Sequence, residues 1–144
     1  MAIKRISPGP RLSQAVAYGD TVYVAGQVAG DTSADAGGQT RQILAQIDTL
    51  LAAAGSDKSK LLWANVWLAD MADYGAMNVA WEGWVAPGHT PARATVEARL
   101  AGPQYKVEIA CIAARADGQR ARAPRAAAKP ASAKRKPARK KRGR

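Results

Sequence analysis

Residues 90–114, TPARATVEARLAGPQYKVEIACIAA, contain the alternation that decides the fold. Up to residue 99, small apolar side chains alternate with polar ones: Ala92, Ala94, Val96 and Ala98 against Arg93, Thr95, Glu97 and Arg99. From residue 105, a second alternation sets Tyr105, Val107, Ile109, Cys111 and Ala113 against Lys106, Glu108, Ala110 and Ile112. A period of two with one apolar face is typical of a half-buried strand. We therefore predict two strands joined by a short Gly-Pro turn, with Arg93 and Glu108 close together on neighbouring strands.

The preceding sequence predicts three strands, over residues 2–7, 12–18 and 21–25. Two closely spaced prolines, Pro8 and Pro10, end the first strand because proline donates no backbone hydrogen bond. The two-residue connection Gly19-Asp20 indicates a hairpin between the second and third strands. A glycine-rich loop follows the third strand.

Two helices and one further strand fill the middle of the chain. An apolar stripe at helical spacing predicts a helix over residues 39–54, with Gly55 as a cap of positive φ. Residues 61–69 form a strand that we expect to be central, and residues 71–85 form a second helix that ends before Pro87-Gly88. The order β-β-β-α-β-α-β-β predicts an α+β fold, a mixed sheet with both helices on one face. The other face would be solvated or covered by another subunit.

The net charge of +11 is confined to the end of the chain. Residues 1–114 carry 9 Lys/Arg against 10 Asp/Glu, whereas residues 115–144 carry 13 Lys/Arg against Asp117. That last segment has no aromatic or large aliphatic side chain, so it cannot bury enough apolar surface to offset its chain entropy. We predict a folded domain over residues 1–114 and a disordered basic tail over residues 115–144.

The sequence contains one cysteine and one histidine, which limits the catalytic and metal-binding chemistry available to it. Cys111 is the only cysteine, which excludes an intramolecular disulfide and is typical of a reducing cytoplasm. His89 is the only histidine, so neither a histidine-based triad nor a multi-histidine metal site is available. The sequence has no secretory-type apolar segment near residue 1 and no run of apolar residues long enough to span a membrane. We expect a soluble cytoplasmic protein without a metal site.

Arg93 and Glu108 each allow a structural and a functional interpretation. Arg93 is either one half of a surface salt bridge or a planar fork that binds a small carboxylate through two hydrogen bonds. Glu108 is either an exposed glutamate on a sheet face or, if an interface covers that face, a group that positions water or transfers a proton. The residues alone do not choose between these alternatives.

Residues 11–114 resemble the RidA/YjgF family of reactive-intermediate deaminases, and specifically its YoaB-like branch. The resemblance rests on segments that occur in family order: TVYVAGQVA, QTRQILAQIDTLLAAAGSDKSKLL, WLADMADYGAMNVAWEGWV, PGHTPARATV and YKVEIACIAA. It implies a chorismate-mutase-like protomer, a homotrimer with three sheets around a central barrel, and ligand clefts between subunits. The implied activity is hydrolysis of enamine and imine acids, such as 2-aminoacrylate and 2-iminopropanoate, to 2-oxo acids and ammonia without a cofactor.

The resemblance also implies roles for individual residues. Arg93 matches the arginine that holds the substrate carboxylate, and Glu108 matches the glutamate proposed to orient the attacking water. Asn78 matches an asparagine of the second helix, and Gly26 matches the glycine of the GQ turn near the cleft. Thr95 stands where the family has cysteine, at a position whose main chain is thought to meet the ligand.

Three positions depart from the family pattern and remove polar groups from the cleft. Leu12 stands where the family has a cleft tyrosine, Ala25 replaces a serine before the GQ turn, and Ala110 replaces a second strand glutamate. These departures predict a changed or weaker substrate preference. They also leave open a non-catalytic protein whose cleft binds a small carboxylate.

The basic tail resembles those of linker-histone-like proteins. Its Lys/Arg content predicts non-specific binding to nucleic acid through phosphate neutralisation, with a solvated appendage as the alternative. Endoribonuclease activity, reported for some relatives, is the least favoured function because the sequence lacks histidine-based acid–base residues.

Overall fold

The computed structural model describes residues 1–115, which form one six-stranded mixed sheet and two α-helices. The strands are β1 (Lys4–Pro8), β2 (Ser13–Tyr18), β3 (Thr21–Gln27), β4 (Leu61–Leu68), β5 (Ala92–Glu97) and β6 (Val107–Ala114). The helices are α1 (Ala36–Ala53) and α2 (Tyr74–Trp84), and one-turn 3₁₀ helices precede β4 and α2. The predicted element order and α+β class are confirmed. The predicted tail lies outside the described residues, apart from Arg115.

The strands lie in the order β1-β2-β3-β6-β4-β5, and every pair is antiparallel except β4–β5. The predicted hairpin between β2 and β3 is confirmed, because Tyr18 pairs with Thr21 across the Gly19-Asp20 turn. Gly19 has a φ of 59°, a conformation that favours glycine at the first central residue of a tight hairpin turn. The predicted central place of β4 is also confirmed, since it lies between β6 and β5.

The predicted hairpin between the two strands of residues 90–114 is wrong. β5 pairs with β4, and β4 separates β5 from β6. The reason is the helix that precedes β5: a strand that returns after a helical crossover pairs parallel with the strand before the helix, here β4. The chain from residue 98 to residue 106 must then cross to the far side of β4.

Both helices lie on one face of the sheet and bury one apolar core. α1 begins three residues earlier than predicted, because the Asp35 carboxylate accepts a hydrogen bond from the backbone N–H of Gly38 and caps the first turn. Gly55 follows α1 with a φ of 79°, as predicted for the residue that ends this helix. We call this side of the sheet the helix face and the opposite side the open face.

The register of the central strands assigns each side chain to one of these faces. On β6, the helix face receives Val107, Ile109, Cys111 and Ala113, all of them buried. On the edge strand β5 the two faces are reversed relative to the sequence-based expectation. Arg93 and Thr95 lie on the helix face, beside the buried Ala64 and Val66 of β4, and the apolar Val96 lies on the open face with half of its surface exposed.

Candidate functional site

Arg93 lies on the edge strand β5, and α2 holds its side chain in place. One guanidinium nitrogen donates to the Asn78 side-chain oxygen at 2.8 Å, and the other contacts the Met77 sulfur at 3.8 Å. The guanidinium carbon lies 5.1 Å from the centre of the Trp81 ring, within the range of a cation–π interaction. These contacts use only part of the five-donor guanidinium fork and leave its other N–H groups without a partner among the described residues.

The three supporting side chains come from one surface of α2. Met77 and Trp81 are four residues apart and both are buried, and Asn78 is half-buried at the border of the same surface. The connection after α2 then returns the chain to the sheet edge, so that Arg93 of β5 lies directly beneath these residues. The guanidinium is therefore oriented before any ligand arrives, which reduces the entropy lost on binding.

Thr95 follows Arg93 on the same face of β5. Its hydroxyl oxygen is buried, and it alone among the buried side-chain polar atoms of residues 1–115 has no hydrogen-bond partner. Further along the strand, the Glu97 carboxylate accepts a hydrogen bond from the Met71 backbone N–H at 3.0 Å. The helix-face side chains of β5 thus contact α2 and the 3₁₀ turn before it.

Glu108 lies on the open face of β6, opposite Trp67 of β4. On its other side, β3 has a β-bulge between Val24 and Gln27, which places Gly26 against the Glu108 side chain. A Cβ added to Gly26 would overlap the carboxylate, with the Glu108 Cδ atom only 3.0 Å away. Glycine is therefore the residue that lets the carboxylate lie against the bulge.

Within one chain the predicted site residues form two separate groups. Arg93, Asn78 and Thr95 lie on the helix face at the sheet edge, whereas Gly26 and Glu108 lie on the open face nearer the middle of the sheet. The expectation that Arg93 and Glu108 are close on neighbouring strands is therefore wrong for a single protomer. β4 separates the two strands, and the sheet itself separates the two side chains.

Sequence reasoning did not identify Trp81 as a partner of Arg93, or Trp67 and Arg99 as neighbours of Glu108. Trp81 belongs to the core and is only 6% exposed, but its ring face also contacts the guanidinium. The spacing of Met77, Asn78 and Trp81 on one helical surface could have indicated the group. Trp67 and Arg99 line one cavity with Glu108, a proximity that follows from strand register rather than from any motif.

The three departures from the family pattern lie outside the Arg93 group. Ala110 is half-buried on the open face, two residues from Glu108, and Ala25 lies in the bulge beside Gly26. Leu12 is 53% exposed just before β2. Ala25 and Ala110 thus remove polar groups on the glutamate side of the site.

The remaining reactive side chains lie apart from both groups. Burial raises the pKa of the Cys111 thiol to about 12, so this thiol stays neutral and unreactive. His89 is exposed in the turn before β5. Among residues 1–115, no three His, Cys, Asp or Glu side chains are grouped as metal ligands, and no helix is long and apolar enough to cross a membrane.

The structure thus presents an arginine held by α2 at the sheet edge and, on the other face of the same α+β domain, a glutamate over a glycine bulge. Residues 2–115 match the family model described as "Endoribonuclease L-PSP". The chain therefore belongs to this family, which includes the YjgF and RutC proteins.

Two curated relatives and one solved structure illustrate the match. A RutC family protein of Haemophilus ducreyi is 52% identical over 78% of this chain and 96% of its own length. The RutC family protein YoaB of Escherichia coli is 48% identical over 79% of this chain and 99% of its own length. The crystal structure of NMB1025, a YjgF family member from Neisseria meningitidis, has a TM-score of 0.79 and 46% identity, covering 81% of this chain and 98% of that protein.

Proposed function

We propose that this protein hydrolyses reactive enamine and imine acids, such as 2-aminoacrylate and its tautomer 2-iminopropanoate, to 2-oxo acids and ammonia. The observation that carries the proposal is the Arg93 guanidinium, which Asn78 and Trp81 hold with donors to spare. Such a fork suits a small carboxylate, which accepts two parallel hydrogen bonds. Family membership and the glutamate beside a glycine bulge support the same reaction.

The protein does not need to activate the substrate carbon, because an iminium carbon is already electrophilic. A water oxygen bonds to C2 while the C=N π electrons move to nitrogen, which gives a carbinolamine. Glu108 accepts the proton that water loses and returns it to the nitrogen. Glu108 then takes the hydroxyl proton as the C–N bond breaks, ammonia leaves and the C=O bond of the 2-oxo acid forms. The protein holds the carboxylate and places the water about 3–3.5 Å from C2.

The two groups of site residues can act together only if a second copy of the chain joins them. We propose the homotrimer that the resemblance implies, with Arg93 of one protomer and Glu108 of its neighbour in one cleft. The open face supports this assembly, because the large side chains of Tyr23, Trp63 and Val96 are 50%, 38% and 51% exposed in the single chain. Exposed apolar patches of this kind mark interaction surfaces. A cytoplasmic location fits the single, buried Cys111.

The test uses imine generated in the cuvette by an amino-acid oxidase acting on alanine, with ammonia and pyruvate as readouts. Arg93→Ala and Glu108→Gln should each lose most of the activity. When the two inactive variants are unfolded, mixed and refolded together, activity should return, because roughly a quarter of the clefts in randomly assembled trimers combine both intact side chains.

Each failure in this test has a distinct meaning. An Arg93→Ala protein as active as the parent would remove the mechanism. Two inactive variants that refold into trimers without regaining activity would contradict the shared cleft. Carboxylate binding without turnover by the parent protein would instead support the non-catalytic alternative that Leu12, Ala25 and Ala110 left open.

The tail of residues 115–144 supports a second, independent role. Its 13 Lys/Arg favour non-specific binding to nucleic acid, and three tails on one trimer would act together. Arg115 donates hydrogen bonds to the carbonyls of Ala54 and Gly19, so a truncation should end after Arg115 to preserve them.

We expect the full chain to be retained on duplex DNA at low salt and released as salt rises, whereas the truncated chain is not retained. A full-length variant with glutamine at the Lys/Arg positions of residues 116–144 controls for chain length. Retention of the truncated chain, or retention that does not depend on salt, would refute this role.

A further inference from the structure

Glu108 borders a cavity of about 210 Å³ on the open face of the sheet. Its other walls are Trp67, the register partner of Glu108 on β4, and three consecutive residues after β5: Ala98, Arg99 and Leu100. A larger cavity of about 680 Å³ shares those three residues and continues towards Tyr105. Arg99 therefore lies where the two cavities meet.

Arg99 is the basic side chain in the lining of the smaller cavity. Its side chain is exposed, and no hydrogen bond or salt bridge joins it to another of the described residues. Arg93 cannot take its place within the same protomer, because Arg93 lies on the helix face. Of these two arginines, α2 holds Arg93 at the sheet edge, and Arg99 shares a cavity with the proposed catalytic glutamate.

The position of Arg99 bears on which substrate side chain the cleft accepts. This argument rests on the proposed function. With the 2-carboxylate on Arg93 of a neighbouring protomer and C2 beside Glu108, the cavity of about 210 Å³ is space available to the substrate side chain. Trp67 and Leu100 can contact a methylene group there. A second carboxylate in this space would be repelled by Glu108 and attracted by the Arg99 guanidinium, which offers it paired donors.

We infer that Arg99 binds a carboxylate on the substrate side chain, so that the enzyme acts on 2-imino dicarboxylic acids such as the imine of aspartate. The reaction balances as it does for the smaller imine, since water supplies the oxygen and ammonia leaves. The departures from the family pattern agree with this inference. Ala25 and Ala110 remove a hydroxyl and a carboxylate group from the glutamate side of the cleft and leave Arg99 to recognise the side chain.

The experiment compares two imines made in the cuvette, one from aspartate and one from alanine, each by its own oxidase. The full-length parent protein should hydrolyse the aspartate imine with the higher kcat/KM. Arg99→Met, which keeps the length but removes the charge, should lower the ratio of the two kcat/KM values at least about tenfold. Arg99→Lys should restore part of that ratio. Lys106→Gln is the matched control, because Lys106 is an exposed cation nearby that lines neither cavity, and it should leave the ratio unchanged.

The outcomes separate this inference from the proposed function. Hydrolysis of the alanine imine with a ratio that Arg99→Met does not change would overturn the role of Arg99 and leave the deaminase function standing. A parent protein that hydrolyses an imine with a branched apolar side chain faster than the aspartate imine would also overturn it. Failure to accelerate any of the imines would overturn both. Circular dichroism of each variant verifies folding, which substitution of an exposed side chain should not disturb.

Discussion

Gly26 is glycine because of its contact with Glu108, the proposed catalytic residue. A Cβ at this position would overlap the Glu108 carboxylate, and the φ of Gly26 is not in the left-handed region. Its requirement for glycine thus comes from contact rather than from backbone conformation. Because the flexible Glu108 side chain can turn away from an added methyl group, we predict that Gly26→Ala lowers the free energy of unfolding by no more than about 1 kcal/mol, the low end of the cost of overpacking. Urea unfolding followed by circular dichroism measures this change.

A double-mutant cycle identifies the cause of that change. In a Glu108→Ala background the added methyl group has space, so Gly26→Ala should cost much less there than in the parent protein. Equal costs in the two backgrounds would show that the bulge itself, and not the carboxylate, requires glycine. Gly30→Ala, at a position with open space around the Cβ, controls for the general effect of replacing a loop glycine.

For a substitution at Thr95 we predict the opposite effect on the free energy of unfolding. Its hydroxyl is buried without a partner, so Thr95→Val replaces an unpaired polar group with a methyl group of similar size. We expect the free energy of unfolding of the single protomer to stay the same or to rise by up to about 1–2 kcal/mol. Thr40→Val is the matched control: the buried Thr40 hydroxyl donates to the Ala36 carbonyl at 2.7 Å, so its loss should destabilise the protein. A clear loss of stability in Thr95→Val would show that the hydroxyl has a partner in solution.

At the scale of the elements, Gln39 connects α1 to the loop before it and to the loop before β6. Its fully buried amide donates to the carbonyls of Thr32, Ala34 and Gln104, and its oxygen accepts from the Lys106 N–H at 2.9 Å. These bonds position the chain just before β6 and therefore the strand that carries Glu108. The sequence places residue 39 in a helix, but nothing in the sequence indicates this connection.

Gln39→Leu should lower the free energy of unfolding by about 2–4 kcal/mol, because it leaves several backbone groups unpaired in the interior. Gln42→Leu is the matched control on the same helix. The Gln42 side chain makes two hydrogen bonds, both with the Asp31 backbone. These bonds are exposed, so water can replace the lost partner. Equal effects of the two substitutions, measured by urea unfolding, would contradict the role of burial.

Local periodicity predicted the helices and strands well, but it did not predict which strands pair with each other. The apolar stripe predicted α1, and the alternation in residues 61–69 predicted β4, because these patterns reflect contacts that each element makes with the core. The alternation in β5 did not reveal which side is covered, since both of its sides carry small or polar residues. The crossover through α2, rather than the Gly-Pro turn, determined that β5 pairs with β4.

For the candidate site too, the sequence indicates the residues but not their arrangement in space. Arg93, Asn78, Gly26 and Glu108 could be selected through the family resemblance, and the structure places them in two pairs that make physical sense. Their separation by the sheet could not be predicted without the strand order. Long-range register also decides that Trp67 and Arg99 line a cavity with Glu108, and no local pattern in the sequence encodes such a contact.

At the scale of the whole molecule, the proposed cleft between protomers requires the open face to pack against another copy of the chain. Val96 lies on this face of the edge strand, with half of its surface exposed in the single chain. If three protomers bury their open faces against each other, a charge at residue 96 must be desolvated in the assembly but not in the protomer. We therefore predict that Val96→Asp dissociates the trimer while the protomer stays folded.

Sedimentation equilibrium should give three times the chain mass of 15.1 kDa for the parent protein and a single chain mass for Val96→Asp. Imine hydrolysis should disappear together with the trimer, because Arg93 and Glu108 of one protomer lie on opposite faces of its sheet. Val79→Asp is the control: Val79 is 71% exposed on α2, away from the open face, and its substitution should change neither mass nor activity. A monomeric Val96→Asp protein with full activity would show that one chain suffices for catalysis, and the cleft between protomers would have to be abandoned.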